Sequence, residues 1–283
     1  MPVVVAPMAY QRLLHPEGEL LLARAAAAAG IPYAISTLSS YPLEKIAEAG
    51  PSWFQLYWLR DRAMVESLVD RAGEAGCGAL MVTVDVPVMG RRLRDVRNSF
   101  ALPPDVVAAN LVDAVSEAHD GVPGLSAVAA HTASAFEPAI SWRDLEWLKS
   151  RTDLPLLVKG ILDPRDAVRA VQAGADGIVV SNHGGRQLDG AVASVNALPP
   201  IVDAVGKECS VLLDSGIRSG TDVLRALALG ASGVLVGRPL LWALAVEACG
   251  EALDLLRREL ADAMLLAGCA DIAAAARLTT GRA

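Results

Sequence analysis

The stretch GIVVSNHGGRQLDG, residues 177–190, joins two unlike halves. Gly177 to Val180 is an unbroken apolar run of strand length, the composition of a strand covered on both faces. It then opens into Ser181, His183, two glycines and Arg186, which are residues for chemistry rather than packing. In parallel α/β folds, functional groups project from the C-terminal ends of buried strands. The same pattern therefore has to be sought elsewhere in the chain.

It recurs. Apolar runs are read as strands at Val3–Ala6, Tyr33–Ser36, Phe54–Tyr57, Ala79–Val84, Leu156–Lys159, Gly177–Ser181, Val211–Asp214 and Gly233–Val236. Amphipathic stretches between them are read as helices, clearest at Glu17–Ala29, Leu43–Ala49, Asp61–Ala75, Pro164–Ala173 and Gly220–Leu229. Gly30, Gly50, Gly76, Gly174 and Gly230 close these helices, and Asp163 before Pro164 has the form of an N-cap. Eight strand–helix cycles in 283 residues predict a single α/β domain over residues 1–283, a (β/α)8 TIM barrel. An open doubly wound sheet is the alternative on pattern alone. Residues 86–153 contain a long lid-like loop after strand four, beginning with the basic, proline-bearing PVMGRRLRDVRNSFALPPD at 87–105.

Composition narrows the function. Hydrophobic residues make up 53% and aromatics 4%, an Ala, Val and Leu core. A formal net charge of −7 opposes general nucleic-acid binding. Cys77, Cys209, Cys249 and Cys269 are scattered without a CxxC pair, so neither a metal site nor a disulfide framework is indicated. Arg24 interrupts the longest apolar run, and MPVVVAP lacks a basic signal-type start; together these point to a cytoplasmic protein with no membrane partner.

The strand exits collect polar groups. They offer Pro7-Met8-Ala9 after strand one, Gln55 and Tyr57 on strand three, Thr83 and Asp85 on strand four, and Lys159 on strand five. Strands six to eight add Ser181 and His183, then Asp214, then Gly237 and Arg238. Glycines near Asp214 and Gly237, with the forked donors of Arg218 and Arg238, suit a phosphate at the last two exits. His183 needs a carboxylate to fix its tautomer, and Asp85 is the candidate. Arg186 can hold a substrate carboxylate through paired hydrogen bonds. Lys159, ending an apolar strand, suits a cofactor that gathers negative charge.

VVSNHGGRQLDG (179–190) resembles the signature of the FMN-dependent 2-hydroxy-acid oxidases and dehydrogenases, the glycolate oxidase-like family. APMAYQRLLHPEGE (6–19), TLSS (37–40), WFQLYWLRDR (53–62), TVDVPVMGRR (83–92), LPLLVKGI (154–161), LDSGIRSGTDVLRALALGA (213–231) and VLVGRP (234–239) look like family segments in family order. The 53–62 and 83–103 segments look nearest to the 4-hydroxymandelate oxidase branch. The resemblance implies FMN as cofactor and oxidation of an (S)-2-hydroxy acid, aromatic or bulky, to the 2-oxo acid. Reduced flavin would be reoxidised by O2 to H2O2.

The resemblance also implies roles. His183 is the base, paired with Asp85. Arg92 and Arg186 hold the substrate carboxylate, and Tyr57 hydrogen-bonds the substrate. Lys159 stands by the reduced flavin. Pro7, Met8, Ala9, Ser39, Gln55, Tyr57, Thr83 and Ser181 surround the flavin. Asp214, Ser215, Gly216, Arg218, Gly237 and Arg238 hold its phosphate end. Tyr41, after TLSS, stands where relatives carry tryptophan and implies a different side-chain pocket. Ser215 stands where many relatives have glycine.

The resemblance begins at the family's first barrel strand, without the N-terminal segment that ordinarily supplies a tyrosine and barrel-closing helices. An FMN-binding but silent barrel, and a dehydrogenase using another acceptor, therefore stay open. The family implies a homo-oligomer, a tetramer. His15 is read as structural, and His119 and His131 as loop residues facing solvent. Arg91, Arg94 and Arg97 are read as lid contacts around Arg92, and the helical run at 251–269 as a packing or interface helix.

Overall fold

The computed structural model describes residues 1–111 and 127–278. Eight parallel strands close into a barrel in sequence order: β1 (Val3–Val5), β2 (Tyr33–Ser36), β3 (Ser52–Tyr57), β4 (Leu80–Thr83), β5 (Leu156–Ile161), β6 (Gly177–Val180), β7 (Ser210–Leu213) and β8 (Gly233–Val236). β8 pairs back onto β1 through Val3–Val234, Val4–Leu235 and Val5–Val236. Every expected strand is present, and the boundaries move by one or two residues.

The helices are α1 (Gly18–Ala28), α2 (Leu43–Ala47), α3 (Arg62–Glu74), α4 (Leu93–Arg97), α5 (Ala127–Ala135), α6 (Trp142–Ser150), α7 (Pro164–Gln172), α8 (Ser194–Val205), α9 (Gly220–Ala228), α10 (Arg238–Leu244), α11 (Cys249–Leu266) and α12 (Ile272–Ala275). Local chemistry sets their ends. Asp61 caps α3 by accepting from the Ala63 and Met64 amides, and Asp163 caps α7 by accepting from Arg165 N–H. Among the described residues, no helix is long and apolar enough to cross a membrane.

Alternation along each strand divides the core. Val4, Ala34, Met81, Val179 and Leu235 fill the barrel interior. Val3, Val5, Phe54, Leu56, Leu80 and Val82 face the helices, where Val65, Leu68 and Ala72 of α3 and Leu253, Leu256 and Leu260 of α11 are buried. The 251–269 run is thus largely α11, with Leu255, Leu265 and Leu266 exposed on its outer side.

The segment after β4 is not one loop. It holds α4 and α5, and α6 fills the regular position between β4 and β5, started by a capping box of Ser141 and Asp144. The excursion is tied to the barrel top on both sides of residues 112–126. Asn110 donates to the Ser36 and Thr37 carbonyls and accepts from Leu43 N–H. Past the undescribed stretch, Arg60 N–H donates to Ala135 O, and Glu137 N–H donates to Trp58 O. His131 falls in α5 rather than in a loop, and His119 lies outside the described residues.

Candidate active site

Register gathers the site. Ser36 pairs with Gln55, Tyr57 with Thr83, and Thr83 with Lys159 across β2 to β5. Polar groups remote in sequence therefore end on one rim. Above them lies a cavity of about 360 Å³, bordered by Pro7, Met8 and Ala9 after β1, Tyr57, Arg92, Lys159, His183 and Arg186. The ends of β7 and β8 add Asp214, Ser215, Gly216, Arg218, Gly237 and Arg238.

His183 Nδ1 stands 2.9 Å from Asp85 Oδ1. An ionised carboxylate only accepts, so in the neutral imidazole this contact favours the tautomer with its proton on Nδ1 and its lone pair on Nε2. The approach depends on Gly160, where β5 bulges at φ +108°. A Cβ there would lie 2.6 Å from the Asp85 Cβ. Asp85 Oδ2 is buried without a hydrogen-bond partner.

Lys159 is 4% exposed, and its Nζ lies 2.9 Å from Asp214 Oδ2. Ser181 Oγ completes a triangle, accepting from Lys159 Nζ at 3.1 Å and donating to Asp214 Oδ2 at 2.8 Å. Burial pulls the Lys159 ammonium down, but the carboxylates of Asp214 and Asp85 outweigh it and hold it above the ordinary lysine value. Burial likewise pushes Asp214 up, and Lys159, Ser181 and the Ser215 amide together more than offset it, leaving Asp214 below the usual carboxylate range. Both groups stay charged. Burial raises the Tyr57 phenol to about 12, so it is a donor near neutral pH. Its ring stacks on Phe136, with centroids 4.6 Å apart.

The cations are the outstanding feature. Among the described residues, Arg92, Arg186, Arg218 and Arg238 border the cavity and none has an ion-pair partner. Arg92 Nε is buried with no acceptor. Partial burial, then the like charges of Arg92 and Arg238, pull Arg186 below the ordinary arginine value. Burial and Arg238 act on Arg218 in the same direction. A chain of net charge −7 that concentrates arginines without ion-pair partners around one hollow calls for anions inside it.

Two expected positions do not line this cavity. Ser39 does not reach the cavity. It is fully buried behind it, donating to Tyr41 O at 2.8 Å and accepting from Asn110 Nδ2 at 2.9 Å. The serine that borders the cavity is Ser36, the last residue of β2, which the rule that functional groups sit at strand exits marks. Tyr41 also lies elsewhere. Its hydroxyl donates to Pro16 O, and its ring meets Arg12 and Lys45, while Leu38 borders the cavity. Both residues sit beyond the strand end, where the chain has turned away.

Gln55, Thr83 and Ser181 do not border the cavity but back it. Gln55 Nε2 donates to Thr83 Oγ1, and Gln55 Oε1 accepts from Thr37 N–H. His15 pairs with Glu247 on the surface, consistent with its structural reading. Asp95 and Tyr10 border the cavity without having been expected there.

Gln187 was also missed. Its Nε2 donates to Asp85 O and Val88 O, and its Oε1 accepts from Gly90 N–H. It fastens the loop bearing Asp85 and Arg92 to the turn bearing His183 and Arg186. Gly90 permits the contact, because a Cβ there would stand 2.6 Å from Arg186 O. Gln187→Ala should lower stability by about 1–3 kcal/mol, measured by urea unfolding; a loss below a few tenths would remove this role.

A barrel with a carboxylate-held histidine, a buried charged lysine and an arginine-rich end defines a class: barrel oxidoreductases that hold a phosphorylated redox cofactor. The comparisons make it specific. The FMN-dependent dehydrogenase family matches residues 1–280, and the chain belongs to that family. It is 60% identical over 284 residues to 4-hydroxymandelate oxidase of Amycolatopsis orientalis, covering 99% of this chain and 79% of that one. It is 52% identical over 281 residues to L-lactate oxidase of a Nostoc species, covering 96% and 77%. It superposes on the crystal structure of mandelate oxidase with (S)-4-hydroxymandelic acid at a TM-score of 0.96 and 60% identity, covering 99% of this chain and 79% of that one. The activity is FMN-dependent oxidation of 2-hydroxy acids.

The residues present fit FMN. Unpaired Arg218 and Arg238 flank the end where Gly216, at φ +88°, has open space in place of a Cβ. Pro7, Met8, Ala9 and Lys159 border the same cavity, with Lys159 held against Asp214.

Proposed function

We propose that this chain oxidises (S)-2-hydroxy acids with aromatic or bulky side chains to 2-oxo acids, with O2 as the final acceptor and H2O2 as the second product. The carrying observation is the set of arginines without ion-pair partners that borders the same cavity as His183, which Asp85 holds. Arg218 and Arg238 suit a phosphate, and Arg92 and Arg186 a carboxylate. FMN, when bound, supplies the two-electron acceptor.

The chain's own groups do the rest. Arg92 and Arg186 bind the substrate carboxylate and offset the charge that disfavours loss of the C2 hydrogen. Tyr57 donates to the substrate. The Nε2 lone pair of His183 takes a substrate proton, and Asp85 stabilises the imidazolium. Lys159, with Asp214 holding it charged, presents a cation to the cofactor edge that gains negative charge. Leu13, Leu38, Met89 and Phe100 form an apolar wall that supports a bulky side chain. The hydroxymandelate oxidase relative supports the aromatic preference. The chain is proposed to assemble as a tetramer, which light scattering would size, and the exposed leucines of α11 are apolar surface open to contacts between copies.

The test is anaerobic reduction of the FMN-loaded protein by (S)-mandelate, (S)-4-hydroxymandelate, lactate and glycolate, followed by peroxide measurement in air. Fastest bleaching by the mandelates and one H2O2 per turnover are expected. Faster bleaching by glycolate would overturn the aromatic preference, and turnover without peroxide would assign another acceptor. Arg186→Met should raise the half-saturating substrate concentration by about 10- to 100-fold, the range of a lost charge-assisted hydrogen bond. An unchanged value would remove Arg186 from carboxylate binding.

A further inference from the structure

Ser215 follows β7 with φ +80°, in the left-handed region. Among the described residues, the other non-glycine positions there, Tyr10, Ser99, His183 and Glu247, lie between 48° and 57°. Such backbone strain persists only where neighbours over-determine it. Here they do. Asp214 Oδ1 accepts the Ser215 N–H at 2.7 Å, and Ser194 Oγ donates to the Ser215 carbonyl at 3.3 Å.

The hydroxyl serves the adjacent turn. Ser215 Oγ accepts the Gly184 N–H at 2.8 Å, fixing the residue that follows His183. Among the described residues its proton has no good acceptor. Ser181 Oγ, 3.5 Å away, already accepts from Lys159 Nζ at 3.1 Å and His183 N–H at 3.0 Å and donates to Asp214. Both its acceptor positions are in use. Ser215 borders the cavity, so its proton is available to an acceptor there.

We propose that Ser215 is a positioning residue: its strained backbone holds the turn that carries His183, and its hydroxyl proton is offered to FMN. Its effect on rate rests on the 2-hydroxy-acid reading above; its effects on stability and FMN affinity do not. Ser215→Ala removes the hydroxyl and keeps the strain, whereas Ser215→Gly removes both.

Three readouts separate them: thermal unfolding of the cofactor-free chain, FMN affinity by fluorescence titration, and anaerobic reduction rate per bound flavin. Ser215→Gly should melt about 2 °C above Ser215→Ala, the shift expected for relieving about 1 kcal/mol of strain in a chain of this size. Both variants should bind FMN about five- to tenfold more weakly and reduce it about five- to tenfold more slowly, as for one lost hydrogen bond. Ser215→Gly melting at or below Ser215→Ala overturns the strain assignment. Affinity and rate within twofold of wild type in both variants overturn the positioning role. If even the wild type is never reduced, the 2-hydroxy-acid reading fails, and the melting and FMN-affinity arms still decide on Ser215.

Discussion

His183→Asn lowers the rate at which a 2-hydroxy acid reduces the bound flavin by about 10²–10⁴-fold, the usual contribution of a positioned general base. Asparagine is the informative replacement because His183 sits at φ +56° and asparagine tolerates that backbone better than other side chains. The turn therefore survives while the basic nitrogen is lost. The groups assigned to the phosphate, Arg218 and Arg238, are untouched, so the variant stays yellow. Stopped-flow reduction under anaerobic conditions reads the effect. A loss of less than tenfold, with the flavin still bound, would show that the substrate proton goes elsewhere.

Lys159→Met destabilises the protein by about 3–5 kcal/mol, the cost of leaving a buried charge without its partner. The stranded group is Asp214, whose remaining partners, Ser181 and the Ser215 amide, are neutral. The double variant Lys159→Met with Asp214→Leu should recover most of that stability, because a buried ion pair is worth little against apolar residues of similar volume. It should not recover flavin reduction.

The pH dependence follows from the two shifts. Asp214 is depressed, so its contribution is present above the unfolded carboxylate value and is lost as pH falls through the folded one. Lys159 is raised, so its contribution is present below the unfolded amine value and is lost as pH rises through the folded one. Wild type thus keeps the pair across neutral pH. Urea unfolding of the single and double variants at neutral pH measures it, and equal stabilities would contradict the buried-pair account.

The barrel was legible because its strands are nearly uniform apolar runs closed by glycines and caps, as at Asp163-Pro164. α6 and α8 were not read. The first lies inside a stretch dominated by its basic, proline-bearing start. The second contains Pro199 and Pro200, which argue against a helix when tertiary packing is unseen. In the site, His183, Asp85, Lys159 and the arginines stood out because charged groups at the ends of apolar strands are hard to explain as packing. Ser36 and Leu38 border the cavity although the resemblance pointed to Ser39 and Tyr41; β2 itself ends at Ser36 as read, and the path of the turn after it is set by tertiary contacts such as those of Asn110. Gln187 and the hydroxyl of Ser215 act through loops brought together by the fold, and local sequence carries no signal for that.

The most direct test of the central claim, that these strand ends converge on one flavin and one carboxylate, is a crystal structure with FMN and an unreactive 2-hydroxy-acid analogue. The phosphate should sit between Arg218 and Arg238, the analogue carboxylate against Arg92 and Arg186, and its C2 hydroxyl group at His183 Nε2. A flavin bound elsewhere, or a carboxylate away from both arginines, would contradict the account.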